Sequence, residues 1–159
     1  MNKSFLFMPG ISISMNAGPL EELTNTPDQK ILAVWALDCA ERVLPVFEEK
    51  YPNDPRPRDA IEAGRSWLRG EIKVGEARKA AFLAHAAART AAGDPPASFA
   101  ARAAGHAAAT AHTSGHAIHA ANYAVKAMPA SMKIQEYEWQ YKHLLQLISE
   151  SHTPDRQIT

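Results

Sequence analysis

The stretch Pro96 to Met128 reads PASFAARAAGHAAATAHTSGHAIHAANYAVKAM, and its reading decides the fold class. Alanine is the strongest helix former, and no proline interrupts the run before Pro129. One continuous helix is predicted, with strain expected only at Ser114-Gly115. At about 100° per residue, His112, His116 and His119 would share one stripe of that helix, at i, i+4 and i+7. His106 stands earlier in the same segment. A helix surfaced mainly by methyl groups lets neighbouring axes approach to about 8 Å, which places this element at the centre of a bundle.

The flanking segments also read as helices. Val74 to Ala91 is a second alanine-rich helix, through Ala77, Ala81, Leu83, Ala84, Ala87 and Ala88, and Gly93-Asp94-Pro95-Pro96 ends it. Upstream, Thr26-Pro27-Asp28-Gln29 has the form of a capping box with Thr26 as the cap. It opens a helix from about Pro27 to Lys50 whose buried stripe is Leu32, Trp35, Cys39, Val43 and Phe47, with a kink expected before Pro45. The run Tyr51 to Pro57 is a connection. A helix from about Pro57 to Arg69 follows, burying Ile61, Trp67 and Leu68, and Gly70 closes it. Beyond Pro129, Ser131 is a candidate cap for a last helix to about Ser149. The apolar seam of that helix is Ile134, Tyr137, Tyr141, Leu144, Leu145 and Ile148.

No run alternates as a strand would. The expectation is an all-α, single-domain bundle of about five helices with an alanine-rich, tightly packed centre, wrapped by helices carrying Trp35, Trp67 and Trp139. Residues 1–24 read as an N-terminal arm, 25–150 as the bundle and 151–159 as a polar tail.

Composition narrows the function. Within 159 residues, 17 basic and 17 acidic side chains cancel, which argues against a nucleic-acid binder driven by bulk charge. Cys39 is the sole cysteine, so no internal disulfide forms; inside an apolar pattern it reads as a small buried hydrophobe in a reducing compartment. Phe5-Leu6-Phe7-Met8 is divided by Pro9-Gly10, which disfavours a signal peptide. No segment approaches the roughly 18 apolar residues of a membrane span. The expected location is cytoplasmic, away from membranes.

Several constellations are candidate sites. His112 and His116 have the spacing that lets two imidazoles reach one divalent metal from a helix face, and His119 extends the set. Further ligands would come from His85, His106, His143, Asp38 or Glu41. The chain lacks both the H-E-x-x-H pattern and the paired Glu-x-x-His of di-iron bundles. The other reading is that these rings fill space and bond to neighbouring helices. Asp38, Glu41 and Arg42 interrupt an apolar stretch, with Asp38 and Arg42 spaced as an i, i+4 surface pair. Alternatively Asp38 meets a histidine or arginine of the His112 helix. The basic series from Arg56 to Lys79 is interleaved with carboxylates and reads as a solvated mixed face. Trp139, among tyrosines and glutamates, is a candidate protein-contact anchor or part of a second buried face. No phosphate loop, G-x-S-x-G elbow or Cys-His dyad signature occurs, so no catalytic residue is assigned.

Three stretches carry a family resemblance: WALDCAERVLP from Trp35, RPRDAIEA from Arg56, and AAGHA from Ala103 continuing through His112 and His116-Ala117. Together with Glu138-Trp139-Gln140, they resemble the putative immunity protein family, small all-helical proteins associated with bacterial polymorphic toxin systems. The resemblance spans about Gln29 to Leu147. It implies a non-enzymatic protein that binds and blocks a toxin, with no catalytic residue to carry over. Partner-binding candidates are His106, His112, His116, Asp38, Glu41 and Trp139. The alternatives are a metal-binding bundle or metal-dependent hydrolase using the His112, His116 and His119 stripe, and a homo-oligomer joined through alanine faces.

Overall fold

The computed structural model describes residues 19–25 and 27–152, and among them every regular element is helical. Seven α-helices follow one another: α1 (Pro19–Leu23), α2 (Gln29–Glu48), α3 (Arg56–Leu68), α4 (Val74–Thr90), α5 (Pro95–Ala109), α6 (His116–Ala127) and α7 (Lys133–Ser151). A single 3-10 turn, Ala130–Met132, precedes α7. The all-α expectation holds, with seven helices in place of about five.

The main departure lies in the stretch that decided the fold. The expected continuous helix is broken over 110–115 into α5 and α6, which pack against each other as a helical hairpin. Threonine, serine, histidine and glycine are all poorer helix formers than the surrounding alanines, and they cluster at Thr110 and His112-Thr113-Ser114-Gly115. A distant residue also caps the end. Gln29 of α2 donates from Nε2 to the carbonyls of Thr110 (2.9 Å) and Ala111 (3.0 Å), acceptors left open where a helix stops.

Alanine builds the centre. On α5 the side chains of Ala97, Ala100, Ala101, Ala103, Ala104, Ala107 and Ala108 are all buried, as expected of a helix apolar on every side. Helices α2, α3, α4 and α6 surround it. On α6 the buried set Ala117, Ala120, Ala121, Ala124 and Ala127 follows the helical period, and α4 contributes Ala77, Ala81, Ala84, Ala87 and Ala88. These alanine faces are occupied within the one chain.

Bulk comes from α2, where Trp35, Leu37, Leu44 and Phe47 are fully buried. Trp35 therefore lies inside the bundle instead of wrapping it, and its indole N–H donates to the Gln140 carbonyl at 2.9 Å. Gly64 lets α3 meet α2 closely, since a Cβ there would stand 2.6 Å from a Leu37 methyl.

Boundaries shift in instructive ways. The cap of α2 is Asp28, whose side chain accepts from the Ile31 amide at 3.0 Å; the expected cap, Thr26, lies outside the described residues, as does the arm over 1–18. Gly70 closes α3 as predicted, at φ +74°, with Glu71 N donating to Ser66 O and Gly70 N to Trp67 O. Trp67 and Leu68 are half-buried, and α3 buries Pro57, Ala60, Ile61 and Gly64. Ser131 falls in the 3-10 turn, and Met132 occupies the cap position of α7 without a side-chain bond. Ile134 is 75% exposed, whereas α7 buries Glu136, Gln140, Tyr141 and Leu144. No helix among the described residues is long and apolar enough to cross a membrane.

Candidate functional site

The turn over 110–115 rearranges the histidines. His112 sits exposed on the turn, so the predicted stripe of His112, His116 and His119 does not form; only His116 and His119 share α6. The hairpin instead brings His106 of α5 against His116, with 3.0 Å between their Nδ1 atoms. One of these nitrogens donates and the other accepts. The His106 ring also stacks on Tyr123 (centroids 5.4 Å apart, planes at 9°) and meets His119 at 5.4 Å. From α4, His85 approaches His106 edge-on at 4.8 Å.

Two local features hold His85. Its Nδ1 accepts from the Arg102 guanidinium at 2.9 Å, which places the ring proton on Nε2. Gly105 supplies the space, since a Cβ there would come within 2.8 Å of the ring. This explains a glycine inside an alanine run, despite its helix penalty of about 1 kcal/mol.

Burial disfavours the charged form of each ring, and neighbouring cations add to the effect. Burial, then Arg102, His116 and Arg89, pushes His85 down to about 4. Burial, then His85, His116, His119 and Arg102, pushes His106 down to about 3. His116 is lowered by burial, then by His119 and His112. Among the described residues, no carboxylate acts on these three rings.

Beside the cluster a cleft of about 280 Å³ opens between α4 and the 110–115 turn. It is lined by Arg78, Ala81, Phe82, His85, Ala109, His112, Thr113 and His116. Phe82 and Leu83 are 61% and 48% exposed on α4, and the Arg78 guanidinium lies 5.6 Å from the Phe82 ring centre. Among the described residues, no three His, Cys, Asp or Glu side chains are placed to hold one metal ion.

A second polar cluster joins α2, α3 and α7. The expected Asp38–Arg42 pair does not form. Asp38 accepts from Arg65 Nη2 (2.9 Å) and lies 2.7 Å from His143 Nε2, while the same Arg65 nitrogen donates to Glu41 at 2.8 Å. Asp38 thus meets a histidine and an arginine, but from α7 and α3 and not from the His112 segment. Arg42 instead grips Glu136, which is 3% exposed, through two bonds of 2.8 and 3.0 Å. Its guanidinium covers Trp139 at 3.9 Å, and Trp139 stacks on His143 at 4.6 Å. Trp139 is half-buried in this sandwich. Cys39, beneath it, is fully buried; burial, then Asp38 and Glu136, pushes its thiol well above the ordinary range. It is the inert hydrophobe expected from the sequence.

The candidates therefore separate into two groups: His112 and His116 at the cleft with His106 against His116, and Asp38, Glu41 and Trp139 in the network. Tyr123 and Arg102 are cluster members that the histidine spacing did not name. Tyr123 was legible, lying at i+7 from His116 and i+4 from His119 on one helical face.

A family model described as Imm-5 like putative immunity protein matches residues 22–147, covering α2 through most of α7. No curated protein and no solved structure matches the chain.

Proposed function

Because the chain belongs to the Imm-5 like putative immunity protein family, we propose that it binds a protein toxin and neutralises it by stoichiometric occlusion, without turnover. The family match carries this reading, since it spans nearly the whole bundle and not a single motif. The contact face is the cleft side of α4 with the 110–115 turn. Phe82 stands exposed there beside Arg78, and aromatic groups and arginine are enriched at protein interfaces. His112 and His116 face the same cleft. The Asp38–Glu41–Trp139 network braces the fold, because its carboxylates and guanidinium groups already satisfy one another.

Co-expression with a candidate toxin drawn from the neighbouring genes, followed by mass measurement of the purified complex, tests the proposal. A 1:1 complex and protection of the toxin-expressing cells are expected. Phe82→Ala should weaken binding by at least about tenfold, the effect of a typical anchor, whereas Glu41→Gln should leave it nearly unchanged. Neither complex nor protection with that toxin would overturn the reading.

A further inference from the structure

We propose that the cleft between α4 and the 110–115 turn is a carboxylate-binding site, filled by an acidic segment of the protein partner and held by Arg78 with N–H donors from His112 and His116. The inference rests on the toxin-binding reading for the identity of the partner, but not for the chemistry of the site.

The first support is how the arginines are paired. Arg42, Arg56, Arg58, Arg65 and Arg69, on and beside α2 and α3, each contact a carboxylate. Arg78, Arg89 and Arg102, on α4 and α5, pair with none among the described residues. Their other contacts are a phenyl ring beneath Arg78 and an imidazole beside Arg102.

The second support is the distribution of charge along the chain. Between Ala77 and Gln135 stand Arg78, Lys79, Arg89, Arg102, Lys126 and Lys133, with Asp94 the only carboxylate. Asp94 is engaged as the cap of α5, accepting from Ala97 N. A net charge of zero thus conceals a basic stretch whose cations pair with no carboxylate among the described residues.

The third is the form of the cleft. Arg78 is exposed at its rim, able to present a planar fork of donors to a carboxylate. Phe82 supplies an apolar wall, which suits a carboxylate carried on a protein surface. The titratable groups lining the cleft are Arg78 and His85 from α4, His112 from the turn and His116 from α6; Arg89 and Arg102 act on His85, and His119 on His116, without lining it. All are cationic or neutral. An entering carboxylate would favour the protonated form of His116, so binding should draw in protons and strengthen as pH falls.

The site can be tested on the full-length protein without the toxin. Capped hexaglutamate is the probe, with capped hexaglutamine and a short oligothymidylate of matched charge as comparators, at constant low salt. Imidazole and guanidinium ¹⁵N resonances are followed. Hexaglutamate should move His112, His116 and Arg78 saturably while hexaglutamine does not. Its apparent affinity should rise at least about twofold from pH 8 to pH 6. Arg78→Gln, at an exposed position, should weaken binding at least about threefold without altering the fold. Unmoved resonances, equal shifts with hexaglutamine, or an unaffected Arg78→Gln would overturn the site. Tighter binding of oligothymidylate than hexaglutamate would overturn it in favour of a nucleic-acid surface. Failure of this titration leaves the toxin complex to stand or fall on its own experiment.

Discussion

An imidazole packed among alanines and arginines is held neutral, and that has a consequence for acid stability. His85 and His106 are lowered in the fold to about 4 and about 3, against about 6.5 in an unfolded chain. As pH falls below about 6.5 the unfolded chain takes up protons that the fold refuses, so stability is full above that value and declines below it. The urea midpoint should therefore fall between pH 7 and pH 5, before ordinary carboxylates titrate. His106→Gln should flatten that decline, and a flat wild-type midpoint would contradict the neutral cluster. Gly105 offers a second test at this scale. In Gly105→Ala the new methyl displaces the His85 ring, so the imidazole pKa should rise from about 4 toward 6.5, as read by NMR titration.

At the scale of elements, the hairpin between α5 and α6 is the feature on which the site depends. Gln29 closes α5 from another helix, so Gln29→Ala should cost about 1 kcal/mol, the worth of hydrogen bonds of this kind. Hydrogen exchange at Thr113 and His116, whose amides lie in the turn, should quicken with it. The brace between α2 and α7 predicts a larger effect. Arg42→Ala leaves the buried Glu136 carboxylate without its guanidinium, at a cost of roughly 1–3 kcal/mol in urea unfolding. Helix periods were legible in the sequence because they are local: the stripe of α2, the alanines of α4 and the glycine stop of α3 appear where expected, whereas Leu83, read with the α4 stripe, stands exposed. The break at Thr110 was signalled only weakly, by threonine, histidine, serine and glycine among alanines, and the cap that completes it stands 81 residues away. Ile134 misled because it is apolar yet exposed, while Gln140 and Glu136 are polar yet buried. Burial at those positions was decided by partners on α2 and α6, not by the period of α7.

Across the whole molecule, stability comes from close approach more than from large side chains. Alanine faces on α4, α5 and α6 leave little room at the centre, and Gly64 brings α3 onto Leu37 in the same way. Gly64→Ala should therefore destabilise by about 1–3 kcal/mol through overpacking, less up to about 1 kcal/mol of helix propensity gained. An unchanged urea midpoint would show that Leu37 yields more easily than its full burial implies. The same tight centre turns the polar side chains outward into two groups with opposite balance. One, around Asp38, is internally paired; the other, around Arg78 and His116, leaves cations beside an open cleft.

The sequence by itself determined an all-helical chain with an alanine centre, a single inert cysteine and membership of an immunity protein family, because composition, helical period and family motifs are properties of neighbouring residues. Only the tertiary structure decided that His106 meets His116, that Asp38 meets His143 and Arg65, and that Arg78, Arg89 and Arg102 pair with no carboxylate among the described residues. Those pairings depend on where a helix turns back and which faces then touch. Those choices are made by long-range caps and packing, which no local spacing records.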